Sequence, residues 1–179
     1  MLSTASYLKA VPAPPDRLEQ LFQEHYQQIY RTAYRVTGNA NDAEDVLQTV
    51  FLRLARRKSE LEQMPNPKAY LLRAAINAAL DIVRARSLNQ MVSLDDVTPE
   101  QFSTHRNPET QSADRELREL IQSEIGKMSQ NAAEMFVLKY FEGYENKEIA
   151  EMMGTSHLVV GVLLHRARAQ VKKRIGAAF

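Results

Sequence analysis

The side chains of this sequence best suited to chemistry are cations, and they are gathered in two places. Between positions 53 and 86 stand Arg53, Arg56, Arg57, Lys58, Lys68, Arg73, Arg84 and Arg86 against only Glu60, Glu62 and Asp81. After Gly161 come Arg166, Arg168, Lys172, Lys173 and Arg174 with no acid at all. Between them lies a stretch with Asp95, Asp96, Glu100, Glu109, Asp114, Glu116, Glu119 and Glu124. With a formal net charge of only +1, any attraction to a polyanion must belong to these local blocks, not to the chain as a whole.

Other chemistries find little support. The chain has no cysteine, which excludes disulfides, thiolate metal sites and a cysteine nucleophile. His25, His105, His157 and His165 lack metal-ligand spacing. No phosphate loop and no nucleophile paired with a base is present, so neither an enzymatic activity nor a metal or cofactor is expected. The amino-terminal residues lack a basic stretch followed by an apolar run, and no segment approaches the roughly 18 apolar residues of a membrane span. A cytoplasmic location is expected.

The elements that must position these side chains are helices. Leu18, Leu21, Phe22, Ile29, Ala33 and Val36 recur at helical spacing and form one apolar stripe ending near Gly38. Asn41 can cap a second helix, with Asp42, Glu44 and Asp45 in its first turn and Arg56, Arg57 and Lys58 at its end; Val46, Val50, Phe51 and Leu54 form its buried face. Asn66-Pro67 opens a third, which carries Leu71, Ala74, Ala75, Ala78 and Ile82. Asn107-Pro108 opens a fourth, continued by Leu117, Leu120, Ile121, Ile125 and Met128, and a fifth runs from about Ala132 to Glu142 and stops at Gly143.

The last two helices form a recognisable unit. Asn146 can cap a short helix from Lys147 to Met153, Gly154 can take a left-handed turn, and Ser156 can cap a longer helix that buries Val160, Leu164, Ala167, Val171 and Ile175. A short helix, a glycine turn and a longer basic helix make a helix-turn-helix, whose second helix can lie in a DNA major groove. The expected fold is all-α: two small helical domains joined by a flexible linker. The boundaries are a disordered head at 1–15, a first domain at 16–87, a linker at 88–107 and the helix-turn-helix domain at 108–179.

Five segments add a family likeness. Positions 42–53 read DAEDVLQTVFLR and positions 69–81 read AYLLRAAINAALD; in the other half YFEGY at 140–144 is followed by EIA at 148–150 and LHRAR at 164–168. In this order the segments resemble extracytoplasmic function (ECF) sigma factors of the sigma-70 family, and they span nearly the whole chain apart from head and linker. The resemblance implies a transcription initiation factor that binds RNA polymerase core, recognises the −10 and −35 promoter elements and promotes DNA melting.

It further implies residue roles. Asp42, Glu44, Asp45, Gln48 and Phe51 would meet the clamp helices of the largest polymerase subunit. Arg57, Lys68, Tyr70, Arg73, Asn77, Arg84 and Arg86 would bind the −10 element, where an unstacked base needs cations for the backbone and polar or aromatic groups for its ring. Lys147, Ser156, His157, Leu158, Gly161, Val162, His165, Arg166 and Arg168 would face the −35 element, and on the polymerase core the beta flap is an expected partner beside the clamp helices. An anti-sigma factor is a further expected partner. The family pattern has Thr-Val-Lys-Ser-Arg where this chain has Val159, Val160, Gly161, Val162 and Leu163. Two readings of that change stay open: apolar side chains can contact thymine methyls, or the helix can face a protein. Beside the sigma-factor reading stand a stand-alone helix-turn-helix regulator, which leaves the second and third helices without a purpose, and a helical scaffold or enzyme.

Overall fold

A computed structural model describes residues 16–92 and 108–178, and every α or 3₁₀ element within them is helical. Helix α1 spans Arg17–Thr37. The Asp16 carboxylate accepts from the N–H groups of Leu18 (2.8 Å) and Glu19 (3.1 Å), satisfying donors that a helix start leaves unpaired. Gly38 ends it at φ 68°, where an L side chain would be strained.

Helix α2 spans Ala40–Arg56 and is capped by Asn39, not Asn41. Asn39 is extended immediately after the Gly38 turn, and its side chain accepts from the Asp42 N–H at 3.1 Å, so Asn41 falls inside the first turn. A 3₁₀ segment, Lys58–Gln63, leads to α3, Pro67–Val92, where Asn66 accepts from the Ala69 N–H at 2.9 Å and proline takes the first helical position. Helix α3 continues five residues past 87. The Ser87 hydroxyl donates to the Val83 carbonyl at 3.1 Å, a bond made within the helix that leaves it unbroken. The head at 1–15, the rest of the linker at 93–107 and the proposed cap Asn107 lie outside the described residues.

Helices α4 (Pro108–Lys127), α5 (Gln130–Tyr140), α6 (Asn146–Met153) and α7 (His157–Ala178) follow. The cap of α6 is Glu145 rather than Asn146; the Glu148 carboxylate reaches back to accept the Glu145 N–H at 2.7 Å, closing the turn one residue earlier. Gly154, at φ 64°, makes the turn between α6 and α7, and Ser156 Oγ accepts from the Val159 N–H at 3.3 Å.

One continuous apolar core runs through both halves. Leu21, Ile29, Val46, Val50, Leu54, Leu71, Ile76 and Leu80 fill the first; Ile125, Met135, Leu138, Ile149, Val160 and Leu164 fill the second. Helix α3 joins them by packing on α4 and α5. The crossing is close at Gly126, where an added Cβ would stand 3.3 Å from Val83 Cγ1. Phe22, assigned to the α1 stripe by its spacing, is instead 42% exposed and meets Phe51 edge-on with ring centroids 4.9 Å apart.

Candidate nucleic-acid and polymerase interfaces

The basic set on α3 is brought together, and the second domain sits on it. Arg73 pairs through Nε with Glu134 Oε1 at 2.5 Å and donates from Nη1 to the Met152 carbonyl at 3.0 Å. Asn77 accepts from Gln130 Nε2 at 2.5 Å. Arg84 donates to the carbonyls of Gly126 and Met128, both at 3.1 Å, and to the Gln130 side chain. It thereby supplies cationic donors to carbonyls left over at the end of α4. Arg86 spans the first domain, bonding the Thr37 carbonyl at 3.1 Å and the Asp42 carboxylate.

Lys68 is exposed, its ammonium 5.9 Å from the Tyr144 ring centroid; Arg57 lies 5.2 Å over Tyr70 and pairs with Glu60. Tyr70 is half-buried and packs against the core. Glu134 is the decisive partner in this contact. Its side chain is 2% exposed, whereas that of Arg73 is 36% exposed. A carboxylate so shielded from water depends on a cation and well-aimed hydrogen bonds, and Arg73 comes from the other domain.

On α2, Glu44, Asp45 and Gln48 are exposed together. Asp42 is half-buried and tied to Arg86, and Phe51 belongs to the core, where it supports α1. A groove beside Glu44 and Gln48 is completed by Leu47 and by Tyr26, Gln27 and Tyr30 of α1. These tyrosines belong to a run, Phe22, Tyr26, Tyr30 and Tyr34, whose four-residue spacing is the signal in the sequence that places them on one face of α1. Phe22 stacks on Tyr26 (5.4 Å) and Tyr30 on Tyr34 (6.5 Å).

On the helix-turn-helix, Lys147, His157, Leu158, Val162, His165, Arg166 and Arg168 are all exposed, while Ser156 serves as the cap of α7 and Gly161 is half-exposed. Val160, Leu164, Ala167 and Val171 turn inward.

At the far end of α7 a carboxylate is tuned by its surroundings. Burial acts to raise the pKa of Glu124, but hydrogen bonds from Lys127 (2.7 Å) and Gln170 (3.2 Å), with Arg174 at 3.7 Å, outweigh it and hold the carboxyl below the usual glutamate range. His25 is pushed below its ordinary value, chiefly by burial. No cluster of metal-binding side chains is found among the described residues, and none of their helices is long and apolar enough to cross a membrane.

A two-domain helical protein with a basic helix in the first domain and a helix-turn-helix in the second defines a class of DNA-dependent regulatory protein. Comparison narrows the class. The family described as Sigma-70 region 2 matches residues 21–88, and Sigma-70, region 4 matches residues 118–171. The chain is 30% identical over 154 residues to the ECF RNA polymerase sigma factor SigE of Mycolicibacterium smegmatis, covering 86% of this chain and 60% of that protein. It is 24% identical over 160 residues to the RNA polymerase sigma factor YlaC of Bacillus subtilis, covering 89% and 92%. The solved structure of CnrH in complex with the cytosolic domain of CnrY shares the fold, with a TM-score of 0.54, 21% identity and coverage of 89% and 88%. The chain belongs to the sigma-70 family of RNA polymerase sigma factors, of the extracytoplasmic function kind. A stand-alone helix-turn-helix regulator would not account for the region 2 match over α1 to α3.

Proposed function

We propose that the protein is an alternative sigma factor that binds core RNA polymerase in the cytoplasm, recognises −10 and −35 promoter elements and promotes DNA melting. The observation that carries this reading is the pairing of a region 2 unit and a region 4 unit, in that order, on one chain. Polymerase docks on α2 through Glu44, Asp45 and Gln48, which share an exposed face, with Tyr26 and Tyr30 at its margin.

The −10 element is held by α3 and the segment before it. Arg73 and Asn77 contact the unstacked strand, Tyr70 and Arg57 offer a ring and a cation beside it, and Lys68, Arg84 and Arg86 meet the backbone. Arg73, Asn77 and Arg84 are bonded to the second domain in this conformation, so binding DNA through them requires those bonds to be given up. The domains therefore separate when the factor engages polymerase and promoter. A protein that stabilises the closed arrangement would act as an anti-sigma factor; support comes from CnrH, which is bound to the cytosolic domain of another protein.

Run-off transcription with purified core polymerase on a genomic promoter library tests the reading. Discrete promoter-dependent transcripts that require this protein are expected. Absence of core binding, or of any transcript above that of core alone, would overturn it.

A further inference from the structure

Helix α7 presents to solvent a face that is apolar where a DNA-reading helix usually carries hydrogen-bonding side chains. Its inward face is fixed by Val160, Leu164, Ala167 and Val171, all buried. One helical turn apart on the opposite face stand Leu158, 69% exposed, and Val162, 52% exposed, followed by His165 and Arg166. These four, with Gly161 and Asn146, line a shallow concavity. The cap at Ser156 and the turn at Gly154 fix where the helix begins, so Leu158 and Val162 lie in its first two turns. Those turns of a helix-turn-helix are the ones that meet base edges.

An apolar side chain can distinguish one feature in the major groove, the C5 methyl of thymine; every other base-edge group is a donor or an acceptor. The surroundings favour DNA over a protein as occupant. From Thr155 to the carboxyl terminus the chain has no acid, and among the described residues neither Arg166 nor Arg168 is paired with a carboxylate. These cations suit the phosphates that flank a groove-bound helix. Gly161 adds room between Leu158 and Val162. A Cβ there would meet only Asn146 Nδ2, at 4.0 Å, so the bare backbone leaves space for a base edge to come near.

We propose that α7 is a thymine reader: Leu158 and Val162 each take a thymine methyl of the upstream promoter element, and Arg166 and Arg168 hold the adjacent phosphates. The inference deepens the sigma-factor reading and rests on it.

The test uses holoenzyme assembled from the full chain and core polymerase. Transcription from templates with a randomised upstream element should enrich thymine at two positions on the groove face met by the first turns of α7. In the best of these promoters each thymine is then replaced by uracil, which removes only the methyl. Each replacement should weaken promoter binding about fourfold, the value of one buried methyl group. Val162→Ser, at a position exposed enough to leave folding untouched, should abolish discrimination at its own thymine while leaving the other intact. Equal binding of thymine and uracil promoters, or unchanged preference in Val162→Ser, would overturn the proposal. Promoter-specific transcripts with no upstream preference would also overturn it while leaving the sigma-factor reading standing, and would assign the apolar face to a protein partner. No promoter-specific transcript in any arm would remove both.

Discussion

Breaking the pair between Arg73 and Glu134 should have unequal consequences depending on which partner is removed. In Arg73→Ala the Glu134 carboxylate, 2% exposed, loses its cation, and the Met152 carbonyl loses a donor at 3.0 Å. A buried charge left without its partner costs about 3–5 kcal/mol. In Glu134→Gln an acceptor of the same shape remains, and Arg73, 36% exposed, can turn part of its guanidinium to water. Only the charge-assisted part of the bond is lost, about 1–1.5 kcal/mol after allowance for that exposure. At 1.36 kcal/mol per factor of ten, Glu134→Gln shifts the balance from closed to open about tenfold and Arg73→Ala by a hundredfold or more. Because the chain has no cysteine, Arg53→Cys on α2 and Lys172→Cys on α7, both exposed positions, allow clean attachment of a dye pair. Energy transfer should fall in the order wild type, Glu134→Gln, Arg73→Ala. Binding of single-stranded −10 DNA by the free protein separates opening from loss of a contact. It should rise in Glu134→Gln, where Arg73 is freed, and fall in Arg73→Ala despite the greater opening. Equal, small changes in energy transfer for the two variants, or no gain in DNA binding for Glu134→Gln, would refute the reasoning.

Gly161→Lys should raise thermal stability, since glycine within a helix costs about 1 kcal/mol, while weakening upstream DNA binding, because the new side chain fills the space between Leu158 and Val162 that admits the base edge. Glu124 contributes stability because its folded pKa lies below the unfolded value. That contribution is complete above about pH 4.3 and is lost as pH falls through the depressed folded value, so Glu124→Gln should flatten the acid side of a urea-unfolding profile while lowering stability at pH 7. Gly38→Ala should cost about 1–2 kcal/mol in thermal unfolding, because φ is 68° and the new Cβ would stand 2.6 Å from Gln122 Nε2. Gln48→Ala, at an exposed site, should weaken core-polymerase binding without changing the melting temperature.

Helices were legible in the sequence because their signals are local. Asp16, Asn66 and Ser156 cap by reaching two or three residues along the chain, and Gly38 and Gly154 stand where a left-handed turn is needed. The same periodicity identified Val160, Leu164, Ala167 and Val171 as the inward face of α7, leaving Leu158 and Val162 outside. Where two polar residues competed for one cap, spacing alone chose wrongly. Asn39 prevails over Asn41 because the Gly38 turn makes it extended, and Glu145 over Asn146 because Glu148 can bond back to it.

What lies across the basic face of α3 could not be read from the chain, because it depends on contacts between residues far apart in sequence. Glu134 stands in a stretch, positions 132–138, that is otherwise apolar, and nothing beside it indicates that its partner is Arg73, 61 positions away. Likewise, only packing decides that Phe51 supports the core, that Asp42 is held by Arg86, and that Tyr26 and Tyr30 join Glu44 and Gln48 in one groove. Residue types and their spacing determined which side chains carry charge and which helix bears them. The tertiary structure decided which of those charges meet solvent, because a guanidinium or carboxylate is available to a partner only after the protein's own groups have been served.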